Sequence, residues 1–558
     1  MNRRALLGGG ASTALIALLP KSASSAPTAI PWDKLRRATD GRLLELHSPF
    51  HSCANNGAAC NALFENIKNP YFIGDNPALT QTVGWADAWT SATSARAVAA
   101  MHAGDVAAAV NFARDYDLRP AIKGGGHSYQ GTSNAPDSLL IWTRNMHDIS
   151  VTGDSVTLGS GTIWAQAYDA VTTQRAKYVQ GGGCTTVGVA GLIQSGGFGS
   201  FSKRFGTAAS SLREAEIVTA DGRIRTVNAA NDPDLFWALK GGGGGTFGVV
   251  TRLMLALHDL PEYLGGVNAQ IKASSNDDYR ELVARFITFY SDSLFNEHWG
   301  ESVQFRGDNV LAINMVGQGL TSDEMKAVWK PFFDAVKASP SKFTIVDGPD
   351  IGAMAGRHWW DRSWRVDHHS SSVRLDPRPN HATNWWWRGD SDQVGVFLYA
   401  YESLWLPASL LDGAHRSSLN DALYEASRPF GFELHFNKGL AGAPQAAIDA
   451  AINSATNPSV TTAFALAISA DGAQGVYPGI SGREPDMQKA HASAQAVHAS
   501  MERLRVVAPN GGSYVSESNY FEPSYGTSYW GTNYPRLQSI KRTYDPHNLF
   551  AVHNGVRA

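Results

Sequence analysis

Cysteine is scarce, three in 558 residues, which excludes a disulfide-built scaffold. No Cys-x-x-Cys or His-Glu-x-x-His spacing is present to hold a metal, so none is expected. An excess of basic charge is missing too, with 47 Lys and Arg against 50 Asp and Glu and a net charge of -3. Such a chain has no field for gripping phosphate backbones, and nucleic acid is not an expected partner. Long apolar runs are absent apart from Ala5 to Leu19, which is short for a bilayer span and sits directly behind Arg3-Arg4. Once that segment is removed, no stable membrane span is expected.

The remaining composition, 43% hydrophobic and 17% charged, supports two sizeable cores in one folded unit. Arg3-Arg4, the apolar run broken by Gly8-Gly9-Gly10, and the small residues ending at Ala26 resemble a twin-arginine export signal over residues 1-26. An ordinary secretory signal is the alternative. In an oxidising destination Cys53 and Cys60 are free to pair, which leaves Cys184 as an odd thiol, either buried and inert or assigned to chemistry.

Periodicity divides the mature chain. In residues 27-260, Asp105 is expected to cap a helix running to Tyr116, and Arg119 to Lys123 reads as a strand. Strands are also expected at Leu139 to Thr143 and Ser155 to Leu158, with a helix over Thr162 to Lys177. Asp221-Gly222 between Arg213 to Thr219 and Arg223 to Val227 predicts a hairpin. Residues 261-505 alternate strand-like runs such as Val394 to Tyr401 with helical ones such as Pro485 to Arg505, and hold most of the tryptophan. Residues 506-558 return to glycine- and tyrosine-rich turns.

Three glycine clusters, Lys123 to Ser128, Gly181 to Gly199 and Gly241 to Gly248, can bring backbone N–H groups close to an anion, as pyrophosphate binding requires. The third contains Gly243, Gly245 and Gly248 in a G-x-G-x-x-G frame. Val249 to Leu257 after it reads as a strand, so a Rossmann dinucleotide site, which needs a helix there, is not expected.

Lys123-Gly124-Gly125-Gly126-His127-Ser128-Tyr129-Gln130-Gly131, Cys184-Thr185-Thr186-Val187-Gly188-Val189 and Gly196-Gly197-Phe198-Gly199 together resemble the berberine bridge enzyme-like branch of the vanillyl alcohol oxidase flavoproteins. Asp234 to Lys240, Thr246 to Thr251, Tyr529 to Tyr534 and the Tyr544-Asp545-Pro546 ending are similar to the later signatures of that family. The resemblance implies an α+β fold: a two-subdomain FAD-binding unit with an inserted substrate domain, an antiparallel sheet covered by helices. It implies FAD bound covalently through His127 and Cys184. Gly124, Gly125, Gly126, Ser128, Val187, Gly188, Gly191, Gly196, Gly197, Gly248, Val250, Tyr529 and Asn533 are the further cofactor contacts it implies. The sequence departs from the family where Ala190-Gly191 replaces a Gly-Gly pair, one methyl more beside the cofactor.

The family's usual tyrosine base is replaced by Glu517, with Tyr520 as the competing catalytic residue. A carboxylate in an apolar flavin-lined pocket is a stronger base than one in water, which suits removing a hydroxyl proton as hydride leaves. Val187, where a small residue is associated with oxygen access, favours O2 as acceptor over a dehydrogenase with a quinone or protein acceptor. The implied function is an exported FAD-dependent oxidase acting on a hydroxyl of an alcohol, sugar or secondary metabolite. A binding protein with a degenerate flavin fold is the rival outside enzymes. The tryptophans from Trp359 to Trp387 are read either as packing or as an aromatic wall for a small-molecule substrate.

Overall fold

The computed structural model describes residues 30-54 and 57-558; the export signal expected over residues 1-26 lies outside them. A four-stranded sheet comes first, in the spatial order Leu43–Glu45, Arg96–Ala99, Ser138–Trp142, Arg119–Lys123. The last three strands are parallel, and helix Ala103–Asp115 makes a crossover, burying Val106, Ala109, Val110 and Ala113. His102 caps this helix by accepting from the Asp105 N–H. Asp105 is therefore inside the first turn rather than at its cap, where its carboxylate instead binds Arg42.

The second sheet has five antiparallel strands, ordered Ile224–Asn228, Leu212–Val218, Val249–Ala256, Ser155–Gly159, Ile149–Thr152. The hairpin at Asp221-Gly222 forms as its turn residues require, Gly222 taking a φ of +77°. The helix expected over Thr162 to Lys177 is shorter: Trp164–Tyr168 runs into a wider π turn, Asp169–Thr173, and Lys177 is already in a strand.

A nine-stranded sheet dominates the rest. Its order is Phe343–Ala355, Tyr263–Ala273, Val310–Gln318, Trp299–Arg306, Gly431–His435, Ala463–Gln474, Val396–Pro407, Thr82–Trp85, Trp89–Thr90. The last two strands come from the first region of the chain, so the sheet is not built from residues 261-505 alone. Helices Asn276–Phe289, Ser322–Lys337, Arg416–Ser427 and Met487–Arg505 bring Phe286, Trp329, Leu423 and Met501 to one core on this sheet. Asp486 caps the last helix, which puts Pro485 just before the cap and not in the first helical position. The result is a mixed helix-and-sheet, two-domain fold of the kind expected, with a sheet that is antiparallel except where Thr82–Trp85 joins Val396–Pro407 and that is covered by helices.

Alternation along the strands of this sheet decides where a site can form. In Gly431–His435 and the residues after it, Phe432, Leu434 and Phe436 enter the core while Glu433, His435 and Asn437 face the other way. In Trp299–Arg306, Val303 and Phe305 are core residues, and Ser302, Gln304 and Arg306 line the open side. The sheet thus presents a polar face to the glycine-rich first region. Cys53 and Cys60 form a disulfide, and among the described residues no helix is long and apolar enough to cross a membrane.

Candidate active site

Between the polar sheet face and the glycine loops lies a cavity of about 1420 Å³. Two loops make its inner wall. The first, after strand Arg119–Lys123, carries His127; the second carries Cys184 and leads into helix Val189–Gln194. They touch backbone to backbone. A Cβ on Gly125 would come within 2.7 Å of Gly188 N, and one on Gly188 within 2.8 Å of Gly125 N. Only glycine at both positions allows this approach, and it brings His127 and Cys184 onto the same wall.

Three buried lysines hold the loops. Lys123, 1% exposed, donates to the carbonyls of Ile73, Asn76 and Leu79, pinning the start of the His127 loop. Lys203 donates to Gly439, Ala441 and Phe464 and so ties the Cys184 side to the large sheet. Lys541 joins Thr246 of the third glycine cluster to Phe550 and Asp545 near the C-terminus. Each ammonium has three oxygen acceptors, which satisfies its N–H groups away from water.

His127 Nε2 lies 3.3 Å from the Thr186 hydroxyl, leaving Nδ1 for another partner. Burial, with the nearby Lys123 charge, pulls its pKa down to about 4, so the ring is neutral and nucleophilic at physiological pH. Burial pushes the Cys184 thiol up, helped by Asp390 and Glu301. Asp390 is itself pushed up by burial to about 6, with the neighbouring Cys184 thiol and Thr185 backbone pulling the other way. Lys438, 7% exposed, makes an ion pair with Glu517 Oε2.

Of the residues expected from sequence, His127, Cys184, Gly124, Gly125, Gly126, Ser128, Val187, Gly188, Gly191, Gly248, Val250, Tyr529 and Glu517 line the cavity. Four are placed elsewhere. Tyr520 stacks on His553 at 3.6 Å and packs near Trp85. Asn533 donates to the Thr456 carbonyl at 2.7 Å. Gly196 and Gly197 are turn residues with φ of +96° and +74°, where an added Cβ would strike Thr456 and Leu192. The surroundings expected for Glu517 also need correcting, because it faces an ammonium and not a purely apolar wall.

Sequence reading missed Lys438, Asp390, Glu301, Arg365, His435 and the paired rings of Tyr129 and Tyr401, 5.0 Å apart. The period-two polar alternation at Glu433, His435 and Asn437 was a usable signal for that strand. Nothing local marks Asp390 or Arg365, which reach the cavity from a segment distant in sequence. The tryptophans divide: Trp359 and Trp387 line the cavity, whereas Trp360, Trp385 and Trp386 are buried.

The residues present fit FAD. An added Cβ at Gly191 meets nothing within 4 Å, so the wall there is open to a ligand, and Ala190 beside it leaves the cavity clear. Ser160, Gln194, Thr246 and Asn437 put side-chain oxygens on residues of the wall that have no hydrogen-bond partner in the protein. A long ligand rich in donors and acceptors answers both features. Among the described residues no group of His, Cys, Asp and Glu is arranged to hold a metal.

Comparison with known proteins gives the same direction. Residues 94–228 match the FAD binding domain family, and residues 513–557 the family described as berberine and berberine like. An FAD-linked oxidoreductase of Gibberella zeae is 26% identical, with 95% of this chain and 90% of the relative covered. A VAO-type flavoprotein from Myceliophthora thermophila C1 superposes with a TM-score of 0.76 at 24% identity, over 97% of this chain and 96% of its own. Glucooligosaccharide oxidase from Acremonium strictum, described as carrying 6-S-cysteinyl, 8α-N1-histidyl FAD, has a TM-score of 0.62 at 19% identity, with 83% and 92% covered.

Proposed function

We propose that this chain, an FAD-linked oxidoreductase of the vanillyl alcohol oxidase and berberine bridge enzyme-like family, binds FAD covalently through His127 and Cys184. It oxidises a hydroxyl group of a small alcohol, sugar or secondary metabolite and passes the electrons to O2, releasing hydrogen peroxide. The observation that carries this reading is the contact of the Gly125 and Gly188 loops, which sets a neutral imidazole and a thiol on one cavity wall that Glu517 also lines. Bound FAD supplies the two-electron acceptor.

The chain's own residues supply the rest. Glu517, held by Lys438 and by a hydrogen bond from Ser403 to its carbonyl, accepts the hydroxyl proton. Val187 lines the cavity in the same loop as Cys184, where its short side chain leaves dioxygen a path to the reduced cofactor. The Cys53–Cys60 disulfide supports export to an oxidising compartment, by the twin-arginine route, which carries proteins already folded around a cofactor.

Denaturing gels with in-gel flavin fluorescence, together with intact mass, test the attachment. Wild type, His127→Ala and Cys184→Ala should all retain flavin, and only the double variant should lose it. Release of all flavin from the denatured wild-type protein contradicts covalent binding. Val187→Leu adds a methylene to the wall and should slow reoxidation by dioxygen in stopped flow by about tenfold or more, with flavin reduction little changed. An unchanged oxygen rate counts against the oxidase assignment.

A further inference from the structure

The cavity contains a cation with no anionic partner. Helix Arg362–His369, capped by the Asp361 side chain at the Trp364 N–H, turns Arg365 inward until it is 5% exposed. Its guanidinium carbon sits 4.7 Å from the centroid of Trp359 and 4.9 Å from that of Trp387, against two rings tilted 54° to one another. Nε donates to the Trp359 carbonyl at 2.9 Å. Nη2 is buried with no hydrogen-bond partner, and among the described residues Arg365 enters no ion pair.

Other inward-facing arginines are treated differently. Arg42 meets Asp105, Arg378 meets Asp376 and Arg505 meets Glu402, each carboxylate 5% exposed or less. Burying a guanidinium without a carboxylate is costly, and two aromatic faces replace only part of its hydration because they accept no in-plane hydrogen bond. Burial lowers its pKa to about 10, so it remains charged at neutral pH. The in-plane fork is shaped for a carboxylate.

Its position ties it to the reaction site. Trp387 donates from Nε1 to the Gly183 carbonyl at 3.2 Å, next to Cys184. Arg365, Trp359, Trp387 and Cys184 line the same cavity as Glu517. The Lys438 charge also acts on the Cys184 thiol, so the Glu517–Lys438 pair belongs to this end. Glu301 and Asp390 face it as well and disfavour a second negative group.

We infer that Arg365 is a subsite for a carboxylate, and that the substrate of this enzyme is a hydroxyl-bearing monocarboxylic acid. The assignment rests on the flavin-site reading above, since it takes the remainder of that cavity as the place where substrate binds. The test titrates purified holoenzyme with benzoate and with benzamide, its neutral analogue of similar shape. Binding is followed by calorimetry and by the flavin absorption band. Wild type should bind benzoate about tenfold or more tightly than benzamide. R365Q should lose that preference, and R365K should keep part of it.

Equal affinity for the two ligands in wild type, no binding of either, or a preference that survives in R365Q would overturn the subsite. The wild-type comparison stands even if R365Q fails to fold. Flavin released on denaturation would count against covalent attachment while leaving a benzoate preference intact. Covalent flavin with no preference would count against the carboxylate subsite alone.

Discussion

Glu517→Gln is expected to slow reduction of the bound flavin by a factor of about 10²–10⁴ while changing its reoxidation by dioxygen only about a few-fold. Glutamine keeps the shape of the side chain but cannot take a proton. Its backbone support, the turn from Glu517 N–H to the Tyr514 carbonyl at 2.9 Å and the Ser403 contact to the Glu517 carbonyl, does not depend on the carboxylate. The loss should therefore fall on the step in which a substrate hydroxyl gives up its proton. Tyr520→Phe should leave reduction unchanged, because that ring is stacked against His553 and does not line the cavity. Anaerobic stopped flow measures reduction, and mixing the reduced enzyme with oxygenated buffer measures reoxidation. Equal slowing of both, or of neither, would remove Glu517 from the chemistry.

The parts of the site that were legible in the sequence are those where chemistry and backbone coincide in one short stretch. Gly124-Gly125-Gly126-His127 and the Cys184 to Gly188 run each place a reactive atom beside glycines. The structure gives the reason: Gly125 and Gly188 have no room for a Cβ because the loops touch. The hairpin at Asp221-Gly222 was legible for a similar reason, since its turn demands a positive φ that glycine supplies.

What was not legible depends on pairing across long separations. Glu517 reads as a base in an apolar pocket until Lys438, 79 residues away, is seen beside it. Arg365 reads as one more charge in a tryptophan-rich segment, and its lack of a carboxylate appears only when the whole environment is assembled. Gly196 and Gly197 are a mixed case: they make tight turns at positive φ, while Ser195, Phe198 and Gly199 on either side of them line the cavity. The recruitment of Thr82–Trp85 into the large sheet is a parallel pairing with Val396–Pro407. Four residues with no polar alternation cannot announce a partner three hundred positions on.

Lys541→Met is expected to cost about 3–5 kcal/mol of stability, more than any surface change in the chain. The Lys541 and Asp545 side chains are 0% and 1% exposed and 2.6 Å apart. Removing the lysine leaves Asp545 charged and buried, still accepting from the Leu549 and Phe550 N–H groups at 2.8 and 2.9 Å, with its countercharge gone. The carbonyls of Thr246 and Phe550 lose their donor at the same time. Adding Asp545→Asn should recover a good part of the loss, because the remaining buried group is then neutral. Denaturant unfolding of the single and double variants measures this, and a double variant that costs the sum of two large single losses would show that the pair is not the source. The consequence for the site follows from which segments the lysine joins. Thr246 and residues 551-555 both line the cavity, and Lys541 is the shared anchor between the third glycine cluster and the C-terminal segment. Loosening it should therefore weaken the wall that the glycine loops form before the large sheet, whose core is built from other residues, is disturbed.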